Sequence, residues 1–169
     1  MAQYKILNGP MQTTAAFAKV TTNNAIKTLL QFKPGATIPA RIIRWGISFD
    51  GSAAATPGVV ELIETDVAAT VTAAVAADIT KLDAAALAGG DPTTALISVG
   101  TAATGYTATV EGSTTAVRNF DVQLIAPTNQ YVFEFPLGRE PVIQINKFAR
   151  IRVTFGTAVN AICFMDVEI

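Results

Sequence analysis

Apolar and polar residues alternate with a period of two through most of this chain. That pattern is hard to satisfy except with paired β-strands, whose successive side chains point to opposite faces. In residues 41–50 (RIIRWGISFD), Ile43, Trp45, Ile47 and Phe49 share one face, with Arg44, Gly46, Ser48 and Asp50 on the other. Asp50-Gly51 then supplies a turn. Residues 59–65 (VVELIET) set Val60 and Leu62 opposite Glu61 and Ile63. Residues 118–126 gather Phe120, Val122 and Leu124 on the apolar side and turn Asn119, Asp121 and Gln123 outward. After a turn at Pro127-Thr128-Asn129, Tyr131, Phe133 and Phe135 form an aromatic stripe. Ile143 and Ile145 alternate with Gln144 and Asn146, and Arg150 and Arg152 face away from Ile151, Val153 and Phe155. Gly156-Thr157 leads into a last strand over residues 159–169. The expected fold class is all-β.

Two segments break the alternation. Residues 78–88 (DITKLDAAALA) place Ile79, Leu82 and Ala86 at helical spacing, with Asp78 as N-cap and Gly89-Gly90 as the stop. They predict one short helix within an Ala/Thr/Gly-rich insertion, residues 68–104, which has too few large side chains to form its own core. The insertion must lie against the sandwich or against another subunit. Residues 8–24 follow a first strand at Gln3–Leu7, and the span 1–24 reads as an N-terminal strand and an arm that reaches a neighbour. With 169 residues the chain is one domain. About eight strands joined by long connections favour a double-sheet jelly roll over an immunoglobulin-type sandwich, whose Cys-Trp-Cys arrangement is missing. The last strand is apolar on both faces, at Ala161, Cys163 and Met165 and at Ile162 and Phe164. It is therefore expected at a sheet centre, with one face against another subunit of a trimeric or otherwise obligate assembly.

The chemistry is constrained by what is missing. There is no histidine and a single cysteine, Cys163. This excludes His-activated nucleophiles, His-containing metal sites and an internal disulfide. Gly46-Ile47-Ser48 begins like a nucleophile elbow but lacks its closing glycine. Glu64 with Asp66, and Asp166 with Glu168, could pair as acid and base, although a solvated sheet edge is the simpler reading. Asp50, Glu64, Asp66 and Asp91 show no calcium-loop spacing. The expectation is no enzyme, no metal and no cofactor. A formal net charge of -1 gives no drive toward nucleic acid or anionic membranes. One basic cluster stands out: Arg139, Lys147, Arg150 and Arg152. It reads first as a solvated strand face, then as a salt-bridging contact, and last as a nucleic-acid site, since no aromatics interleave with it. Cys163 reads as an inert core thiol, and Trp45 as core rather than a sugar platform. The start, AQYKILNGP, holds no signal-peptide run, so a product made in a cytoplasm is expected.

The most distinctive string is FPLGREP, residues 135–141. Its prolines stiffen a connector that carries Arg139 and Glu140, which suits an interface contact. With this string, the WGISFDG segment (residues 45–51), VELIET, the Ala/Thr insertion and the strands running to Ile169, the chain from about Lys27 onward resembles the jelly-roll decoration (cement, or minor capsid) proteins of tailed double-stranded DNA bacteriophages. The resemblance implies a TNF-like jelly roll that sits as a homotrimer on the outer surface of the major capsid protein lattice and stabilises the head. It implies no catalytic residues, no nucleic-acid or membrane partner, and a place on the virion surface. The residues expected at capsid or subunit interfaces are Tyr4, Ile6, Arg139, Glu140, Arg150, Arg152, Ile162 and Phe164. The alternative is a trimeric receptor- or glycan-binding head of a phage tail or C1q/TNF-like protein, which would call for an exposed aromatic patch.

Overall fold

The computed structural model describes residues 2–52, 54–83, 96–113 and 115–169. The strands among them are β1 (Gln3–Leu7), β2 (Val20–Thr21), β3 (Lys27–Phe32), β4 (Ala40–Asp50), β5 (Gly58–Thr65), β6 (Thr70–Ala73), β7 (Ile79–Lys81), β8 (Gly105–Val110), β9 (Arg118–Ile125), β10 (Gln130–Glu134), β11 (Val142–Ile143), β12 (Phe148–Thr154) and β13 (Asn160–Glu168). They form two antiparallel sheets. Sheet A runs β10-β4-β13-β1-β7, with β11 added to β4 and β2 to β13; sheet B runs β6-β8-β3-β12-β5-β9. One apolar core fills the space between them, built around Trp45, Tyr4, Phe32, Phe155, Leu30, Ile42 and Leu62. Each such fully buried side chain contributes about 1.5–3 kcal/mol. The fold is an all-β sandwich.

β13 lies between β4 and β1, the central position its two apolar faces predict. Ala161, Cys163, Met165 and Val167 point into the core, and Ile162 and Phe164 are half-buried on the outer face. Elsewhere two bulges re-aim side chains. Asp166 pairs with Arg44 but Val167 pairs with Ile42, so Ile43 is the extra residue. Ile42 therefore enters the core and Ile43, expected in the Trp45 stripe, does not. On β9, Leu62 pairs with Asp121 and Ile63 with Asn119, leaving Phe120 as the extra residue. Phe120 packs against the core, whereas Val122 and Leu124 turn outward at 48% and 74% exposure. The expected apolar row is thus split. Asp121 stays half-buried because its carboxylate accepts hydrogen bonds from Tyr131 Oη at 2.8 Å and Gln123 Nε2 at 2.7 Å.

The helix expected over residues 78–88 is corrected at its start. Residues Ala76–Asp78 form a 3-10 turn, and β7 pairs with β1, setting Ile79 against Ile6. Burying Ile79 at the sheet A edge, with ladder hydrogen bonds, outweighs a short helical period. Asp78 accepts instead from the backbone N–H groups of Val75 at 2.9 Å and Met11 at 3.0 Å. The rest of that helix, residues 84–88, lies outside the described residues. The N-terminal segment, residues 8–24, is anchored to β13 at both ends. Asn8 is buried, donates to the Ala161 carbonyl and accepts from Cys163 N–H at 3.0 Å. β2 pairs with Asn160 and Ala161.

Candidate interaction surfaces

The outer face of sheet A has an apolar centre. Phe164 on β13 lies across Gly46 on β4; a Cβ at Gly46 would meet the ring at 2.6 Å and Val132 at 3.0 Å. Glycine here is what lets the ring lie flat on its neighbour strand. Ile162, Val132, Ser48 and Gln130 line the hollow beside it. Next along the face, Asp166 accepts from Arg44 Nε at 2.9 Å and Nη2 at 2.6 Å. Lys5 Nζ sits 3.4 Å from the same carboxylate and 4.3 Å from the Phe164 ring centre. The buried acid fixes two cations beside the ring, so the face is apolar in the middle and charge-paired at its flank.

Part of the outer face of sheet B is covered by the described residues of the insertion and by the residues that flank it. Strands β6 and β8 extend sheet B beyond β3, and β7 extends sheet A beyond β1. Arg150 is the clamp. It is fully buried, and its guanidinium donates to the Val67 carbonyl on the outgoing leg and the Glu111 carbonyl, at 3.1 Å, on the returning leg. Burial lowers its pKa, opposed by Glu111, whose Oε2 lies 3.9 Å away. Glu111 also accepts from the Thr28 backbone N–H at 2.7 Å and hydroxyl at 2.6 Å. Gln31, buried alongside, donates to the Ala103 carbonyl at 2.7 Å and accepts from Ala69 N–H at 2.8 Å.

The basic cluster is therefore dispersed. Arg150 is buried by the insertion, Arg152 is buried and pairs with Glu61 at 2.7 Å, and Lys147 pairs with Asp66. Arg139 alone of the four is exposed and, among the described residues, makes no ion pair; the solvated-face reading is corrected for the two strand arginines, which are buried. Tyr4 and Ile6 point into the core from β1, at 2% and 1% exposure, and leave a partner no side-chain surface. The four remaining interface candidates, Arg139, Glu140, Ile162 and Phe164, lie at or near the surface.

In the FPLGREP connector the tip is Leu137, 97% exposed, ahead of Gly138 in the left-handed region at φ 82°. Glu140 folds back. Its own backbone N–H and that of Gly138 hold its carboxyl below the usual range, aided by Arg41 at 3.7 Å. Sequence alternation carries no signal for either feature.

Of the paired carboxylates, Glu64, Asp66 and Asp166 meet cations, and Glu168 accepts from the Gln3 amide. Glu64 is buried and receives Arg118 Nε at 3.0 Å, which raises the Arg118 pKa; Asp50 pairs with Lys19. Among the described residues no three potential metal-ligating side chains gather, and no helix is long and apolar enough to cross a membrane. Ser48 Oγ donates to the Ile162 carbonyl at 3.4 Å. Cys163 is buried, and burial pushes its thiol pKa up.

At the β9–β10 side of the sandwich, Trp45, Tyr131, Phe133 and Phe135 form a continuous row with ring centres 5.4, 6.4 and 5.0 Å apart. Trp45 is inaccessible, whereas Phe133 is 36% exposed. Burial and the bond to Asp121 raise the Tyr131 phenol to about 12. Comparisons with protein-family models, curated proteins and solved structures find no match to this chain.

Proposed function

We propose that the chain is a structural virion protein: a trimeric capsid decoration protein that binds the outer surface of a major capsid lattice and stabilises the head. The fold proposed with it is a jelly roll of the TNF-like kind. Strand order supports this. The long strands pair as β1-β13-β4-β10 and β3-β12-β5-β9, so the first and last strands are neighbours and the chain crosses repeatedly between sheets. Two Greek keys folded into a double sheet would give this order, which supports the reading.

The observation that carries the functional reading is the outer face of sheet A. Phe164, Ile162 and Val132 form a shallow apolar centre on rigid strands, with Lys5, Arg44 and Asp166 paired at its side. A flat apolar face held by a sheet suits burial against protein, and a homotrimer closed through it would place β13 at the subunit contact. The coat subunit would then be met by loop tips such as Leu137 and Arg139. The role needs rigidity and repeated weak contacts rather than reaction chemistry.

Quantitative mass spectrometry of purified particles tests the reading. The expected result is a fixed ratio to the major coat protein of the same order as one. Complete absence from particles would end the virion reading. A handful of copies per particle would instead favour a receptor- or glycan-binding head, the second reading, for which the partly exposed Tyr131–Phe133–Phe135 row offers an aromatic platform.

A further inference from the structure

Leu137 is the most exposed large apolar side chain among the described residues, yet the turn that carries it is firmly made. The Arg139 N–H donates to the Pro136 carbonyl at 2.9 Å, with Leu137 and Gly138 at the centre of the turn. Gly138, at φ 82°, supplies the left-handed residue that a type II turn needs at its third position. The Glu140 carboxylate, on a nearly buried side chain, accepts from the Gly138 N–H behind it. A leucine held out in this way adds nothing to its own core, and its backbone has little entropy left to lose when a partner covers it. Arg139 follows it, exposed and, among the described residues, without an ion pair.

The outer face of sheet A carries the counterpart. The hollow beside Ile162, Phe164 and Val132 measures about 100 Å³. That is room for about three water-sized groups, the bulk of one leucine side chain. Glu134 lies on the same face of β10 as Val132, exposed and without an ion pair among the described residues. Arg44, opposite Glu134 on β4, is already held by Asp166 through two hydrogen bonds.

We propose that these two patches meet: in the trimer, Leu137 of each copy fills the Ile162–Phe164–Val132 hollow of the next, and Arg139 pairs with Glu134 there. The proposal rests on the three-fold contact of the preceding reading and names what closes it. Symmetry calls for a second patch. A like-to-like contact closes as a pair about a two-fold axis, whereas a ring of three is built head to tail from unlike patches. The Leu137 turn sits at the Arg41–Glu168 end of sheet A, about 20 Å along the strands from the hollow of its own chain, so only another copy can bring the two together. The spacing also agrees. The cation follows the leucine by two positions, and the acid follows Val132 by two positions, about 6–7 Å along a strand. Apolar tip and cation thereby meet apolar hollow and acid. Leu137 and Arg139 then belong to the neighbouring copy, and the coat subunit is left to the other loop tips.

Cysteine pairing on the free protein tests the contact. In the double variant Leu137→Cys/Ile162→Cys the thiols sit in unlike patches. Oxidation with diamide, which takes up the two electrons and two protons released per disulfide, is expected to join three chains covalently, and neither single variant is expected to do so. Cys163 is buried and does not compete. In Leu137→Ser, at a position exposed enough to leave the fold intact, sedimentation is expected to show three-chain association weakened at least about tenfold, as for a lost interface anchor, with the melting temperature of the dissociated chain unchanged. Arg139→Glu and Glu134→Lys should each weaken it several-fold, and the two together should recover it, because the pair is restored with its charges exchanged. A parent chain that is monomeric at every concentration overturns this contact together with the three-fold reading. A trimeric parent whose cysteine pair does not cross-link and whose Leu137→Ser variant trimerises normally overturns this contact alone. So does a Leu137→Ser protein that stays trimeric but is lost from particles, because the turn would then belong to the coat protein. The ratio to coat protein in particles, which decides the virion reading, is a separate measurement.

Discussion

Arg150 shows how far a residue's role can lie from its charge. On β12 it alternates correctly out of the core, yet it is fully buried because the insertion crosses over it. Replacing it with alanine leaves the Val67 and Glu111 carbonyls without their donor and Glu111 without its counter-ion. A loss of about 3–5 kcal/mol is expected, the range for breaking a buried charge pair. Arg139→Ala, at an exposed position, is expected to change stability by less than about 0.5 kcal/mol. Urea unfolding of both variants checks this; an Arg150→Ala protein as stable as the parent would remove the clamp from the account. Cys163 gives a pH dependence with a definite sign. Its folded pKa is raised by burial, so the unfolded chain loses the thiol proton first. Stability from this group is fully present below about pH 8.5, the ordinary thiol value, and declines above it by up to about 1.4 kcal/mol per unit. The urea midpoint should fall between neutral pH and pH ~9.5, and Cys163→Ala should flatten that part of the slope.

At the level of elements, strands β4 and β13 are fitted together by a missing side chain. The Phe164 ring occupies the space that a Cβ on Gly46 would need. Gly46→Ala is therefore expected to destabilise by about 1–3 kcal/mol, the usual cost of overpacking. In a Phe164→Ala background the same change should cost much less, since the obstructing ring is gone. A double-mutant cycle on unfolding free energies measures the difference, and additive effects would show that ring and glycine are not coupled. β7 carries a related lesson. Ile79 begins a helical spacing with Leu82 and Ala86 in sequence, but pairing of β7 with β1 buries Ile79 and satisfies the backbone in the same step.

For the whole molecule, the insertion is part of the domain. Arg150 is fully buried where the flanks of the insertion cross it, and Ile97 and Ile79 contribute to the main core. Excising residues 66–113 with a short linker is expected to abolish cooperative unfolding, which a thermal melt would reveal. The proposed three-fold contact has its own test. Phe164→Asp sets a carboxylate in the apolar centre of the outer face of sheet A, beside Ile162 and Val132. Loss of the three-chain species in sedimentation is the expected result, and a variant that remains trimeric would move the contact elsewhere.

Local alternation was enough to read the all-β class, the central place of β13, the inward course of Trp45 and Cys163, and the need of the insertion for a surface to lie on. These follow from side-chain period and composition, which act residue by residue along a strand. Tertiary structure alone decided the rest. A bulge of one residue moved Ile42 into the core in place of Ile43, and another split the β9 row, because a slip of one exchanges the faces of a strand. Whether an outward arginine meets water or a carbonyl depends on which distant segment crosses above it. Val67 and Glu111 lie 83 and 39 residues from Arg150 in the chain, a distance over which periodicity carries no information.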